Sequence, residues 1–239
     1  MTPSIVRKEI NDTHYYFVND EFVPSVSNIL DIAGPKEYGL INFFKTNTPE
    51  EIEEKSTTAK SKGTLVHDLI ERLLNGLEIP LKDYPDAVKK LVAIFNDWYN
   101  LYKPTNYLTE SIVACMDDKF KYAGTLDLVC TIDGKRVLID FKTNKGAIYF
   151  SNKLQIMAYK YAYEQTTGEL VDECYILRLG SQHKAGYEFK LIDDVTVDSF
   201  KSIYSTYLDM NGGKLPTPPV IDAYPDTLKL ETISLRHAN

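Results

Sequence analysis

Cysteine is scarce in this sequence. There are three in 239 residues, at positions 115, 130 and 174, and no Cys-x-x-Cys. The odd count argues against a disulfide framework, and the lack of clustered thiols argues against a zinc site or an iron–sulfur cluster. Each cysteine sits in an apolar, strand-like run, so reduced, buried thiols in a cytosolic setting are expected. Long hydrophobic runs are missing too. No stretch approaches membrane-spanning length, and Met1-Thr-Pro-Ser-Ile-Val-Arg-Lys has no signal-peptide core, so a cytoplasmic chain without membrane association is expected. Positive charge is in short supply, with 27 Lys and Arg against 34 Asp and Glu, a net charge of −7. That balance lends no support to a broadly basic nucleic-acid surface, although a local basic rim around a metal site can still hold phosphates. Repeats, low-complexity tracts and a clear interdomain linker are absent. What remains, 44% hydrophobic and 26% charged, is the composition of an ordinary globular protein.

The most informative stretch runs from Gly124 to Thr143. Two apolar, β-branched runs flank Asp133-Gly134, a strong signal for a tight type I′ hairpin because glycine tolerates the required positive φ. With a two-residue loop, Ile132 faces Lys135, Asp127 faces Asp140, and Thr125 faces Lys142. Alternation then puts Thr125, Asp127, Asp140 and Lys142 on one face, and Leu126, Leu128, Cys130, Val137, Ile139 and Phe141 on the other, which reads as core. Directly opposed carboxylates repel. A divalent cation, Mg²⁺ or Mn²⁺ for oxygen ligands of this kind, is the simplest reason to keep them together. A solvated hairpin face that happens to carry charge is the competing explanation. Val129 and Leu138 on the charged face weaken it, since they imply partial cover.

Around this hairpin the chain reads as mixed helix and strand. His14–Val18 and Glu21–Val23 form a strand pair around Asn19-Asp20. Short helices follow from Pro24 to Gly34 and from Pro35 to Lys45. Thr48-Pro49-Glu50-Glu51 carries a capping box and starts a helix to Leu74. Its stripe Ser56, Ala59, Gly63, His67, Ile70, Leu74 sets His67 inward, one turn after a glycine that marks close approach of another group. Taken alone, His67 reads as a satisfied core or surface histidine rather than a ligand. A further helix from Asp83 to Pro104 buries Val88, Leu91, Val92, Phe95, Trp98, Tyr99 and Tyr102. Leu108–Met116 is a strand. If the Asp117-Asp118 turn is also tight, Glu110 faces Thr125 and joins the carboxylate face; a solvated strand glutamate is the alternative. After Lys142 come a helix over 151–167, strands over 171–179 and 187–192, and a helix over 197–210. The helix over 151–167 presents Gln155 and Tyr159 on one face.

In chain order the motifs are Gly63-Thr-Leu-Val-His67, Gly124-Thr-Leu-Asp127, Asp140-Phe-Lys142-Thr and Gln155-x-x-x-Tyr159. Together they resemble the PD-(D/E)xK nuclease superfamily, and within it the RecB-type exonuclease branch. Pro24-Ser-Val-Ser-Asn-Ile-Leu further resembles mitochondrial genome maintenance exonucleases and their phage-encoded relatives. Leu126 replaces the proline of the superfamily's name, a frequent departure. The resemblance implies a mixed α+β, restriction-endonuclease-like core, with a central mixed β-sheet flanked by helices. It would form a single nuclease domain over 1–239, with 1–47 an N-terminal elaboration and 211–239 a surface-wrapping tail. It also implies that His67, Asp127, Asp140 and the carbonyl of Phe141 ligate one or two Mg²⁺ or Mn²⁺ ions. Lys142 would orient or activate the attacking water. Gln155 and Tyr159 would position the DNA backbone.

Glu110 is an additional catalytic candidate, and Thr143 and Lys145 are additional DNA contacts. Lys153 and Lys160 are further basic residues near the expected site. No iron–sulfur cluster is expected. The implied activity is metal-dependent exonucleolytic hydrolysis of DNA in recombination, repair or processing. The implied partners are single-stranded DNA or free ends, with recombination or replication proteins. An endonuclease and a catalytically silent nucleic-acid-binding scaffold on the same fold are the alternatives. Tyr38, Phe43 and Phe44 are candidates for base stacking, although burial in the core is the expected fate of each.

Overall fold

The computed structural model describes residues 4–10, 13–144 and 146–218. Lys145 and the residues of the expected tail from 219 onward lie outside them. Five strands form the central sheet: β4 (Thr105–Met116), β5 (Lys121–Ile132), β6 (Lys135–Lys142), β7 (Glu173–Leu179) and β8 (Tyr187–Leu191), in that spatial order. All neighbours are antiparallel except β6 and β7, which run parallel. The parallel pair is joined by helix α5 (Phe150–Thr167), as a parallel connection requires. A second, three-stranded antiparallel sheet combines β1 (Ile5–Ile10), β2 (Thr13–Val18) and β3 (Glu21–Val23). Strand β1 has no counterpart in the pattern-based expectation, because Val-Arg-Lys-Glu carries little apolar alternation.

Helices cover both faces of the central sheet. Helix α5 packs with α1 (Val26–Ala33) and α6 (Val197–Met210) over Leu126, Val129, Leu138 and Ile176. On the other face, α3 (Pro49–Leu74) and α4 (Asp86–Tyr102) cover Leu128, Cys130, Val137, Ile139 and Phe141. This is the mixed sheet flanked by helices that the sequence implies. The three cysteines are buried, and burial pushes the thiols of Cys130 and Cys174 up to about 12.

Local chemistry sets the elements. Thr48 Oγ1 accepts the Glu51 N–H and the Glu51 carboxylate accepts the Thr48 N–H, closing both sides of the box that opens α3. Asp133 and Gly134 have φ of 50° and 79°, the two positive values that a type I′ turn needs. The β5–β6 register is the one expected, from Ile132 opposite Lys135 up to Leu128 opposite Ile139. The ladder stops there, so the two strands diverge just before Asp127 and Asp140 would pair.

Three expectations need correction. First, the β4–β5 connection is four residues long, with Met116 opposite Lys121. The Asp117 carboxylate accepts the Lys119 N–H, a side-chain turn that replaces the tight hairpin. The register therefore sets Thr125 opposite Ile112, and Glu110 falls between the pairs Thr109–Leu128 and Ser111–Leu126, opposite Asp127 rather than Thr125. Second, Leu126 does not share a face with Leu128. Leu126 packs with the α5 cluster and Leu128 with the α3–α4 cluster. The alternation resets at Asp127, where Glu110 on the neighbouring strand holds a left-handed φ of 45°. Such a conformation costs a non-glycine residue about 1–3 kcal/mol. Third, helix α2 (Tyr38–Thr46) buries no residue. Tyr38 is 81% exposed and Phe44 53%, so neither belongs to the core.

Candidate metal centre

The irregularity at Glu110 and Asp127 creates the site. Because β5 and β6 separate there, Asp127 reaches across the gap, and its Oδ2 accepts the backbone N–H of Phe141 at 2.6 Å. Its Oδ1 lies 3.4 Å from Nδ1 of His67, delivered by α3. The His67 ring stands edge-on to Phe141, with centroids 5.7 Å apart. One ligand atom each from His67, Glu110 and Asp127 lies within 4.8 Å of the other two. The glycine ahead of His67 does mark a close approach: a Cβ on Gly63 would stand 3.3 Å from Thr143 Oγ1. Lys62 Nζ donates to the Thr143 carbonyl at 3.3 Å.

A second chain of contacts runs under α5. Asp140, only 2% exposed, has its Oδ2 2.6 Å from Lys142 Nζ. Lys142 Nζ donates to Gln155 Oε1 at 3.0 Å, and Gln155 Nε2 donates to the Tyr159 hydroxyl at 3.0 Å. The Tyr159 ring lies over Gly124, where a Cβ would stand 2.5 Å from Cε1. Any larger residue at Gly124 would displace that ring. The expected residues thus form two connected groups, His67–Glu110–Asp127 and Asp140–Lys142–Gln155–Tyr159. Lys153 and Lys160 stand apart from both, tied to Asp194 at 2.5 Å and to Glu164 at 3.8 Å.

The electrostatics fit a cation. Burial, then the Asp127 charge, pushes Glu110 from 4.5 up to about 7. Burial raises Asp140 to about 6, with Lys142 opposing that rise and Asp127 adding to it. Burial works against the His67 imidazolium, but Asp127 outweighs it and holds His67 above its ordinary value. Burial also works against the Asp127 carboxylate, and His67, Lys142 and the Phe141 N–H together hold it below the ordinary range. Two carboxylates and an imidazole therefore crowd one spot, partly neutralised by protons. That donor set fits a divalent metal ion, whose binding would release those protons.

Glu110 supplies a testable consequence. A carboxyl whose folded value is raised binds a proton that the unfolded chain has already lost. Without metal, stability therefore falls as pH rises from about 4.5 to about 7, the interval between the ordinary and the raised value. Glu110→Gln removes this titration. In chelator the variant should match wild type below pH 4.5 and exceed it by about 2 kcal/mol at pH 8, allowing for partial solvent access. Thermal melts across pH would read this as a gain of about 5 °C confined to the alkaline side.

The first group lines a cleft of about 440 Å³ together with Arg7 and Tyr16, and the second group reaches it through Tyr159 alone. Arg7 and Tyr16 escaped the sequence pattern. They arrive from the N-terminal sheet, and their hydroxyl and guanidinium partner, Thr125, gives no local signal of that contact.

No family model matches the chain, and no curated protein does. Among solved structures, it is similar to a candidate exonuclease from Eubacterium rectale, with 16% identity and a TM-score of 0.46, over 88% of this chain and 90% of that one. It is also similar to the protein SSO0001, with 12% identity and a TM-score of 0.38, over 64% of this chain and 71% of that one.

Proposed function

We propose that the protein is a Mg²⁺- or Mn²⁺-dependent deoxyribonuclease. It would hydrolyse phosphodiester bonds from DNA ends, with preference for single strands, in DNA recombination, repair or processing. One observation carries this function: the His67–Glu110–Asp127 donor set shares a site with a lysine held between Asp140 and Gln155. His67, Glu110 and Asp127 would hold the cation, with Asp140 and the Phe141 carbonyl as further candidate ligands. A divalent ion bound there would make a water nucleophilic near neutral pH and neutralise charge on the phosphate.

The chain's own residues supply the rest. Asp140 and Gln155 fix the Lys142 ammonium, leaving it able to orient a water or hydrogen-bond a phosphate oxygen. Gln155 and Tyr159, linked to each other and to Lys142, would position the strand through its backbone without reading sequence. Thr143 and Lys145 are the remaining candidate contacts.

End dependence separates an exonuclease from an endonuclease on the same fold. Linear single-stranded DNA should be degraded and its covalently closed circular form should resist. Equal loss of both would replace the exonuclease with an endonuclease and leave the metal centre in place.

A further inference from the structure

The cleft is strongly acidic for a site that must receive a polyanion. Glu9, Asp68, Glu71, Glu110 and Asp127 all line it. Among the described lining residues, Arg7 is the one lysine or arginine. A phosphodiester entering the cleft needs countercharge beyond what a cation already shared by two carboxylates provides. Arg7 sits where it can supply it.

The N-terminal sheet is built to hold Arg7 there. Arg7 stands opposite Tyr16 in the β1–β2 ladder. Tyr16, Val18 and Val23 pack against Ala114 and Ala123 of the central sheet, and the Ala123 N–H donates to the Pro24 carbonyl at 3.0 Å. The guanidinium donates to Thr125 Oγ1 at 3.2 Å, and the Tyr16 hydroxyl is 3.0 Å from the same oxygen. Thr125 is two residues from Asp127. Among the described residues no carboxylate lies within ion-pair distance of the guanidinium; Arg7 acts on the Glu110 carboxylate only at longer range, so its N–H fork is not tied up in an ion pair. A guanidinium offers a planar fork that matches two phosphate oxygens, and a threonine hydroxyl is a weak partner to give up for them.

We propose that Arg7 is a phosphate-binding residue of the cleft, gripping the substrate's backbone through paired N–H donors next to the His67–Glu110–Asp127 centre. The proposal rests on the nuclease function above and assigns the three-stranded N-terminal sheet a role as the arm that presents this residue.

The test is binding of a fluorescein-labelled oligothymidylate to the full chain, followed by anisotropy in Ca²⁺ over a range of salt. Cleavage in Mg²⁺ is measured alongside. Arg7→Ala should weaken binding about tenfold and flatten the salt dependence by about 0.7 in slope, the value for one phosphate contact on a single strand. Arg7→Lys should keep the slope and recover only part of the affinity, since it restores the charge without the fork. KM should rise more than kcat falls, and Mn²⁺ affinity should stay the same or rise slightly, since Arg7 is a cation near Glu110 and no ligand; a merely structural role would not produce that combination. Wild-type affinity and slope in Arg7→Ala, beside a wild type that binds and cleaves, would overturn the role of Arg7 alone. A wild type that neither binds nor cleaves would overturn the nuclease function, and Arg7 with it.

Discussion

Lys142→Ala should abolish cleavage, by about 10²–10⁴-fold in kcat, while divalent-metal affinity stays the same or rises slightly. The ammonium is no ligand, and it sits 2.6 Å from Asp140 Oδ2 and 3.0 Å from Gln155 Oε1. Its removal takes positive charge away from the carboxylates, which favours a cation there, while the accompanying rise in their proton affinity offsets part of that gain. The same deletion leaves Asp140 buried without its partner, at a cost of about 3 kcal/mol or less, because Lys142 is itself partly solvated. Lys142→Met keeps most of the side-chain volume and controls for packing loss. Both variants are assayed well below their melting temperatures. Retention of a tenth of wild-type activity by either would remove Lys142 from the chemistry.

Asp127→Asn should cost at least about 10²–10³-fold in cleavage, and unlike Lys142→Ala it should also weaken Mn²⁺ binding. Asp127 accepts the Phe141 N–H, faces His67 Nδ1 at 3.4 Å and adjoins Glu110. The amide is nearly isosteric and can still accept from Phe141, so the fold should survive. It cannot supply the charge. His67 loses the carboxylate that holds it up, so its imidazole should titrate lower; Glu110 loses the like charge that adds to its rise and should also titrate lower. Histidine NMR titration reads the first shift, and calorimetric titration with Mn²⁺ reads the affinity. Unchanged affinity would show that Asp127 is not a ligand.

The β5–β6 hairpin was legible because Asp133-Gly134 allows few conformations, and a tight turn fixes register all along the ladder. That logic brought Asp127 and Asp140 to one end of the strand pair. It failed where backbone geometry departs from alternation. Nothing in Thr109-Glu110-Ser111 announces a left-handed residue, and the reset at Asp127 moved Leu126 to the α5 side. The Asp117 side-chain turn is equally local in cause, yet it changed which residue faces Glu110. Helix α3 was legible in its bounds because Thr48, Pro49 and Glu51 mark its start; of the expected inward stripe Ile70 and Leu74 are buried and His67 half-buried, whereas Ser56 and Ala59 are exposed. Arg7 and Tyr16 were not, since they reach Thr125 through a contact spanning more than a hundred residues. Exposure of α2 was also hidden: Tyr38 and Phe44 look like core until the packing is known.

Cleavage of end-labelled linear single-stranded DNA by the purified chain, first in EDTA and then with excess Mg²⁺ or Mn²⁺, tests the metal centre most directly. No cleavage in chelator and restoration by either ion is the predicted result. Undiminished cleavage in EDTA, or none with either ion, would contradict it.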